Sequence, residues 1–71
     1  MNNLIEVYPC GTIVSLKNHK LTGEIITIHI FFDNITYSVC YFIEGTETII
    51  TVHEKQFTTN AIKVPLGFRY D

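Results

Sequence analysis

From Gly23 to Ile43 the chain reads GEIITIHIFFDNITYSVCYFI, and this stretch decides the fold. Its first half, Glu24 to Phe32, is dense in β-branched and aromatic residues, which pack well on a pleated surface and lose rotamer freedom in a helix. It therefore reads as a strand. Asp33-Asn34 tolerate tight-turn backbone angles, and the residues that follow place Tyr37, Val39 and Tyr41 on one face by the period of two. A second strand follows, and the pair makes a long hairpin. The first arm is apolar on both sides, with Ile26, Ile28, Ile30 and Phe32 on one and Ile25 and Phe31 on the other. Neither face can be a plain solvent face, and a bulge partway along the arm is expected to switch the inward register.

Working outward, Thr12 to Lys17 reads as a short strand with Val14 and Leu16 inward, and Asn18-His19-Lys20 as a turn. Gly23 falls where a strongly bent sheet needs a residue without a Cβ. After a turn at Glu44–Glu47, Thr48 to Val52 forms a fourth strand with Ile50 and Val52 on one side. His53 to Phe57 lacks alternation and has room for one helical turn, with Phe57 plugging the end of a barrel and Glu54 capping or tying the turn. Ala61 to Val64 reads as a closing strand. The layout predicts an all-β fold: a five-stranded antiparallel barrel over residues 11–64 with one short helical turn before the last strand. A lead-in (1–10), whose Ile5, Val7 and Tyr8 pack on the barrel, and an aromatic tail (65–71) flank it.

A single domain follows from 71 residues, and a domain of this size buries only about 60% of the surface that its unfolded chain exposes. Two cysteines, Cys10 and Cys40, are too few for a disulfide framework and read as buried free thiols. The opening residues show no signal peptide and no segment is long and apolar enough to span a membrane, which predicts a cytoplasmic protein. Apolar residues make up 46% of the chain and charged residues 17%, below the roughly 25% charged content of an average domain. Part of that apolar surface is expected to be buried against another copy or a protein partner. A net charge of -2, with Lys17, Lys20, Lys55, Lys63 and Arg69 as the cations, disfavours nucleic acid.

The segments Gly11–Lys17, Leu21–Ile25, Tyr37–Tyr41 and Val52–Phe57, in this order, resemble the Src homology 3-like (SH3-like) small barrels. That broad group holds Tudor, Agenet and KOW-type modules, and the likeness is nearest to small barrel proteins of bacteriophages and prophages. The resemblance implies a binding module. A Tudor-like aromatic cage would draw on Tyr8, Phe31, Phe42 and Tyr70.

Nothing in the sequence has the spacing of a catalytic or metal site. His19, His29, His53, Cys10 and Cys40 are scattered singly, so no metal and no cofactor is expected. Cys40 sits mid-strand in apolar surroundings that leave a thiol inert. His29, among isoleucines, must find a hydrogen bond or a ligand. There is no phosphate loop, nucleophile elbow or carboxylate pair, and an enzyme is not expected.

The expected function is non-catalytic assembly, as a homo-oligomer or with a protein partner, through the outer side of the hairpin at Phe31, Phe42 and Ile49 with Phe68 and Tyr70 from the tail. Two alternatives stand beside it. One is a structural phage component. The other is an oligomeric anti-defence protein holding a signalling nucleotide between subunits, for which Tyr8, Lys17, Lys20, His29 and Arg69 are the candidates.

Overall fold

The computed structural model describes residues 2–17 and 21–70, with side chains described for all of these but 2–4 and 67–70. The elements in order are β1 (Asn2–Val7), β2 (Ile13–Leu16), β3 (Leu21–Phe31), β4 (Asn34–Ile43), β5 (Thr46–His53), a single 3-10 turn η1 (Glu54–Gln56), β6 (Phe57–Thr58) and β7 (Val64–Tyr70). Five of the strands form one antiparallel sheet in the order β5-β4-β3-β2-β6, and β1 pairs with β7 in a separate ribbon. The sheet curls into a half-barrel around one core, and the molecule measures 47 × 22 × 19 Å. Its radius of gyration of 13.1 Å exceeds the about 11 Å of a compact chain this long.

The hairpin is where the sequence places it, with a bulge. In the β3–β4 pairing the register shifts between Ile25 and Thr27, so Ile26 is the extra residue. Ile25 opposite Val39 faces inward before it, and Ile28 opposite Tyr37 faces inward after it. The bulge thus keeps an arm that is apolar on both sides pointed at one core, and turns Ile26 outward. Gly23 is required by close approach: a Cβ there would stand 2.5 Å from Val39 Cγ1 and 2.9 Å from the Cys40 carbonyl oxygen. The buried cluster is Val7, Val14, Leu16, Ile25, Tyr37, Val39, Tyr41, Val52 and Phe57.

Several expectations are corrected. The two-residue turn of the long hairpin is Phe32-Asp33, with Asn34 already in β4, and Phe32 takes a left-handed φ of +55°. The second hairpin turns at Glu44-Gly45 alone, both with positive φ, the two-residue geometry that matches strand twist. The strand after the 3-10 turn is Phe57–Thr58, pairing with Leu16 and Ser15. Residues 61–63 are not strand, and Val64 begins a strand that runs through Pro65 and pairs with β1. Pro65 is accommodated because the β1–β7 register slips between Ile5 and Glu6, opposite it. Both thiols are free, yet Cys10 is exposed and Cys40 half-buried. Asn18, His19 and Lys20 lie outside the described residues.

Candidate functional site

The inner face is filled by its own side chains. Tyr8, Tyr37 and Phe57 meet edge to face or tilted, with ring centroids 5.6 to 6.0 Å apart. The Tyr8 backbone N–H donates to the Tyr37 hydroxyl at 3.2 Å. Burial raises the Tyr37 pKa above its ordinary value, against the opposing effect of that bond. Lys63 lies over the Tyr8 ring, 5.5 Å from its centroid, and pairs with Glu54 at 2.6 Å. That hydrogen bond raises the Lys63 pKa. Glu54 therefore ties the 3-10 turn to the segment before β7. The cap itself is His53, whose Nδ1 accepts from the Lys55 N–H, while the Gln56 Oε1 accepts from the His53 N–H. His-x-x-Gln is a variant of the Ser/Thr-x-x-Glu/Gln capping pattern, a signal the sequence carried.

The outer face is different. Cα partners Ile13, Glu24, Cys40 and Ile49 form one row across β2, β3, β4 and β5. Ile13, Ile49 and Phe42 are more than half exposed, at 56%, 53% and 62%, and the bulged Ile26 is 39% exposed. Over β3, Ile13, Ile26 and Phe42 border an open groove of about 380 Å³, lined also by Thr22, Glu24 and Cys40 among others. Strands β3, β4 and β5 contain no Lys or Arg, whereas Glu24 and Glu47 flank Cys40. Partial burial, then Glu47 and Glu24, push the Cys40 thiol up and keep it protonated at neutral pH. Sequence reasoning selected Phe42 and Ile49 but missed Ile13 and Ile26. The position of the bulge would have found Ile26.

The next rows along this face are polar. His29, Thr36 and His53 are cross-strand neighbours, and His29 Nε2 hydrogen-bonds the nearly buried Ser38 hydroxyl at 2.7 Å. In the usual catalytic arrangement of Ser and His a third group orients the base. The outward residues around it, Thr27, Thr36 and Thr51, supply hydroxyls and no carboxylate. His29 therefore finds the hydrogen bond that its setting requires. The His53 Nδ1 already accepts a backbone N–H, which places the proton of a neutral ring on Nε2 and leaves no free lone pair for a metal. No cluster of three or more His, Cys, Asp or Glu able to hold a metal occurs among the described residues.

The other sequence-selected residues are dispersed. Phe31 lies on the outer face at the hairpin tip, stacked edge to face on Phe32 at 4.6 Å, and eight positions along β4 separate its partner Asn34 from Phe42. That is about 25 Å. Tyr8 packs into the core side while His29 lies on the outer face, and Lys17 is exposed beyond β2. Lys20 and the side chains of Phe68, Arg69 and Tyr70 lie outside the described residues. A second depression of about 440 Å³ beside β6 is lined by Thr12, Ser15, Thr58 and Thr59 among others. The Thr12 and Thr59 hydroxyls there donate to the carbonyls of Pro9 and Ile13. No helix among the described residues is long and apolar enough to cross a membrane.

No family model, no curated protein and no solved structure matches this chain.

Proposed function

We propose that this chain is a non-catalytic assembly module of the SH3-like small-barrel kind, phage- or prophage-encoded and acting in the host cytoplasm. It joins a second copy of itself through the outer face around Phe42, Cys40 and Ile49. The observation that carries this is the contrast between the two faces. Nine side chains bury one another in a core within one chain, while Ile13, Ile26, Phe42 and Ile49 stand exposed on the outer side of four consecutive strands and the inner side leaves Ile30 and Ile43 part-exposed near the strand ends. A contiguous apolar patch of this kind marks an interface.

Magnitudes set the expected strength. Burying Phe42 and Ile49 from each of two copies, at about 2 kcal/mol per side chain, contributes about 8 kcal/mol. The loss of free motion on association costs about 4 to 15 kcal/mol. Apolar contact alone therefore gives a weak, concentration-dependent dimer. Storage of a nucleotide between subunits has no observation in its favour, because the Tyr8 ring is already packed against Tyr37, Phe57 and Lys63.

The test is subunit number by light scattering and native mass spectrometry over a dilution series, for the wild type and for Phe42→Asp. Assembly that Phe42→Asp abolishes while the circular dichroism stays unchanged is expected, since that ring is outside the core. A wild type that stays monomeric at every concentration overturns the proposal. An oligomer of wild-type size in Phe42→Asp moves the contact elsewhere.

A further inference from the structure

Strand β5 is the edge of the five-stranded sheet, and it carries little of what blunts an edge. The other edge, β6, is two residues long, whereas β5 runs for eight with no bulge in its pairing. Its sequence, TETIITVH, contains no Pro and no Lys, so the usual guards against strand addition are missing apart from Glu47. The direction of its backbone groups follows from the turn. The two-residue loop Glu44-Gly45 is closed by the pair Ile43–Thr46, which in such hairpins is hydrogen-bonded. By the antiparallel alternation Thr48, Ile50 and Val52 then bond to β4, and Glu47, Ile49 and Thr51 turn their N–H and C=O groups away from it. The next outward N–H, that of His53, is taken by the Gln56 side chain.

We propose that two copies join edge to edge through β5, antiparallel about a two-fold axis at Ile49, into one continuous ten-stranded sheet. This rests on self-assembly as proposed above and moves its contact from the open face to the β5 edge: the two Ile49 side chains meet, while Phe42 stands one strand back from the edge, Ile26 two and Ile13 three. The register follows from side-chain chemistry. With Ile49 on the axis, Glu47 of each copy faces Thr51 of the other, and the two Glu47 carboxylates stand about 14 Å apart along the sheet, beyond the screening length in physiological salt. Centring on Glu47 would set two carboxylates face to face. With Ile49 on the axis, the row Ile13–Glu24–Cys40–Ile49 runs on into its own mirror order, and the half-buried Ile50 of each copy meets Thr48 of the other on the inner side. A second copy fits this strand because a two-fold axis at Ile49 sets an uncharged Thr51 opposite each Glu47 and pairs the same residues on both sides, which gives a closed dimer rather than an open chain.

Two measurements on the whole chain test it. Amide hydrogen exchange in the wild type should show Ile49 and Thr51 slowed about 100-fold or more on passing from dilute to concentrated protein, with the core amides of Val14 and Val39 unchanged. Thr51→Pro removes an outward N–H without touching the β4 ladder or the apolar patch, and should leave a folded monomer. An oligomer that survives Thr51→Pro but is broken by Phe42→Asp overturns edge pairing and leaves the apolar contact standing. An oligomer whose Ile49 and Thr51 amides stay unprotected does the same without any mutation. A wild-type monomer at every concentration removes both.

Discussion

At the scale of the residue, two positions set local limits on the hairpin. Gly23 was legible in the sequence as a glycine inside an apolar strand, and the contact explains it: Val39 Cγ1 and the Cys40 carbonyl occupy the space that a Cβ needs. Gly23→Ala should destabilise by about 2 kcal/mol, read as a lowered denaturation midpoint, because the Cys40 carbonyl is backbone and cannot move aside on its own. Phe32 was not legible as a turn residue, since Asp33-Asn34 is the better local turn signal and a bulky side chain disfavours φ of +55°. Register decided otherwise, because Phe31 pairs with Asn34 and leaves only two residues to close the turn. Phe32→Gly should stabilise by about 0.5 kcal/mol or more by relieving the left-handed backbone. It should also leave any oligomer intact, since the tip lies far from Phe42. A lowered melting temperature would show that the Phe31–Phe32 contact outweighs the strain.

At the scale of the element, strands with strong alternation were readable and weakly patterned ones were not. Val14 and Leu16, Tyr37 and Tyr41, and the plug at Phe57 are all buried as their spacing requires. Strand β6 has only two residues, too few to show a period, and β1 and β7 stabilise each other through a pairing that links residues some sixty positions apart in the chain. No local pattern encodes such a contact, so their segments read as lead-in and tail. The same holds for the interface candidates: Phe42 and Ile49 were visible as surplus apolar residues, whereas Ile13 joins them only through cross-strand pairing. One tertiary latch fastens these late elements, with Lys63 bound to Glu54 of η1 and lying over Tyr8 at the end of β1. Its pH dependence has a definite sign. The folded pKa values of Tyr37 and Lys63 are both raised, so each contributes stability that is present below its unfolded value, about 10 and about 10.4. That contribution is lost as pH rises through the folded values. Denaturation midpoints should hold from pH 7 to about 9.5 and then fall, with Tyr37→Phe flattening the alkaline limb. The same variant should cost about 1 kcal/mol at neutral pH, because the Tyr8 N–H loses its acceptor. Lys63→Met, acting at a partly exposed pair, should cost only about 0.5 kcal/mol.

At the scale of the whole molecule, the question is which surfaces the isolated chain leaves to solvent, and the two thiols report on that directly. Cys10 is exposed near the start of β2, donating weakly to the Ile26 carbonyl at 3.4 Å. Cys40 is half-buried in the outer row between Glu24 and Ile49, with its pKa raised by partial burial, then by the Glu47 and Glu24 carboxylates. An aromatic disulfide reagent at neutral pH should therefore modify Cys10 first and Cys40 slowly. Because contact over the outer face around Phe42 and Ile49 covers Cys40, the slow phase should slow further as protein concentration rises, while the fast phase keeps its rate. Cys10→Ser isolates the slow phase, and Phe42→Asp should return it to the dilute rate. A Cys40 rate that ignores concentration, in a chain that light scattering shows to be oligomeric, would place the contact away from this face. The charge pattern points the same way as the shape. Three neighbouring strands, β3 to β5, without a Lys or Arg leave this face little to offer an acidic partner, and two glutamates spaced apart by a two-fold axis leave its apolar row free to meet its own copy.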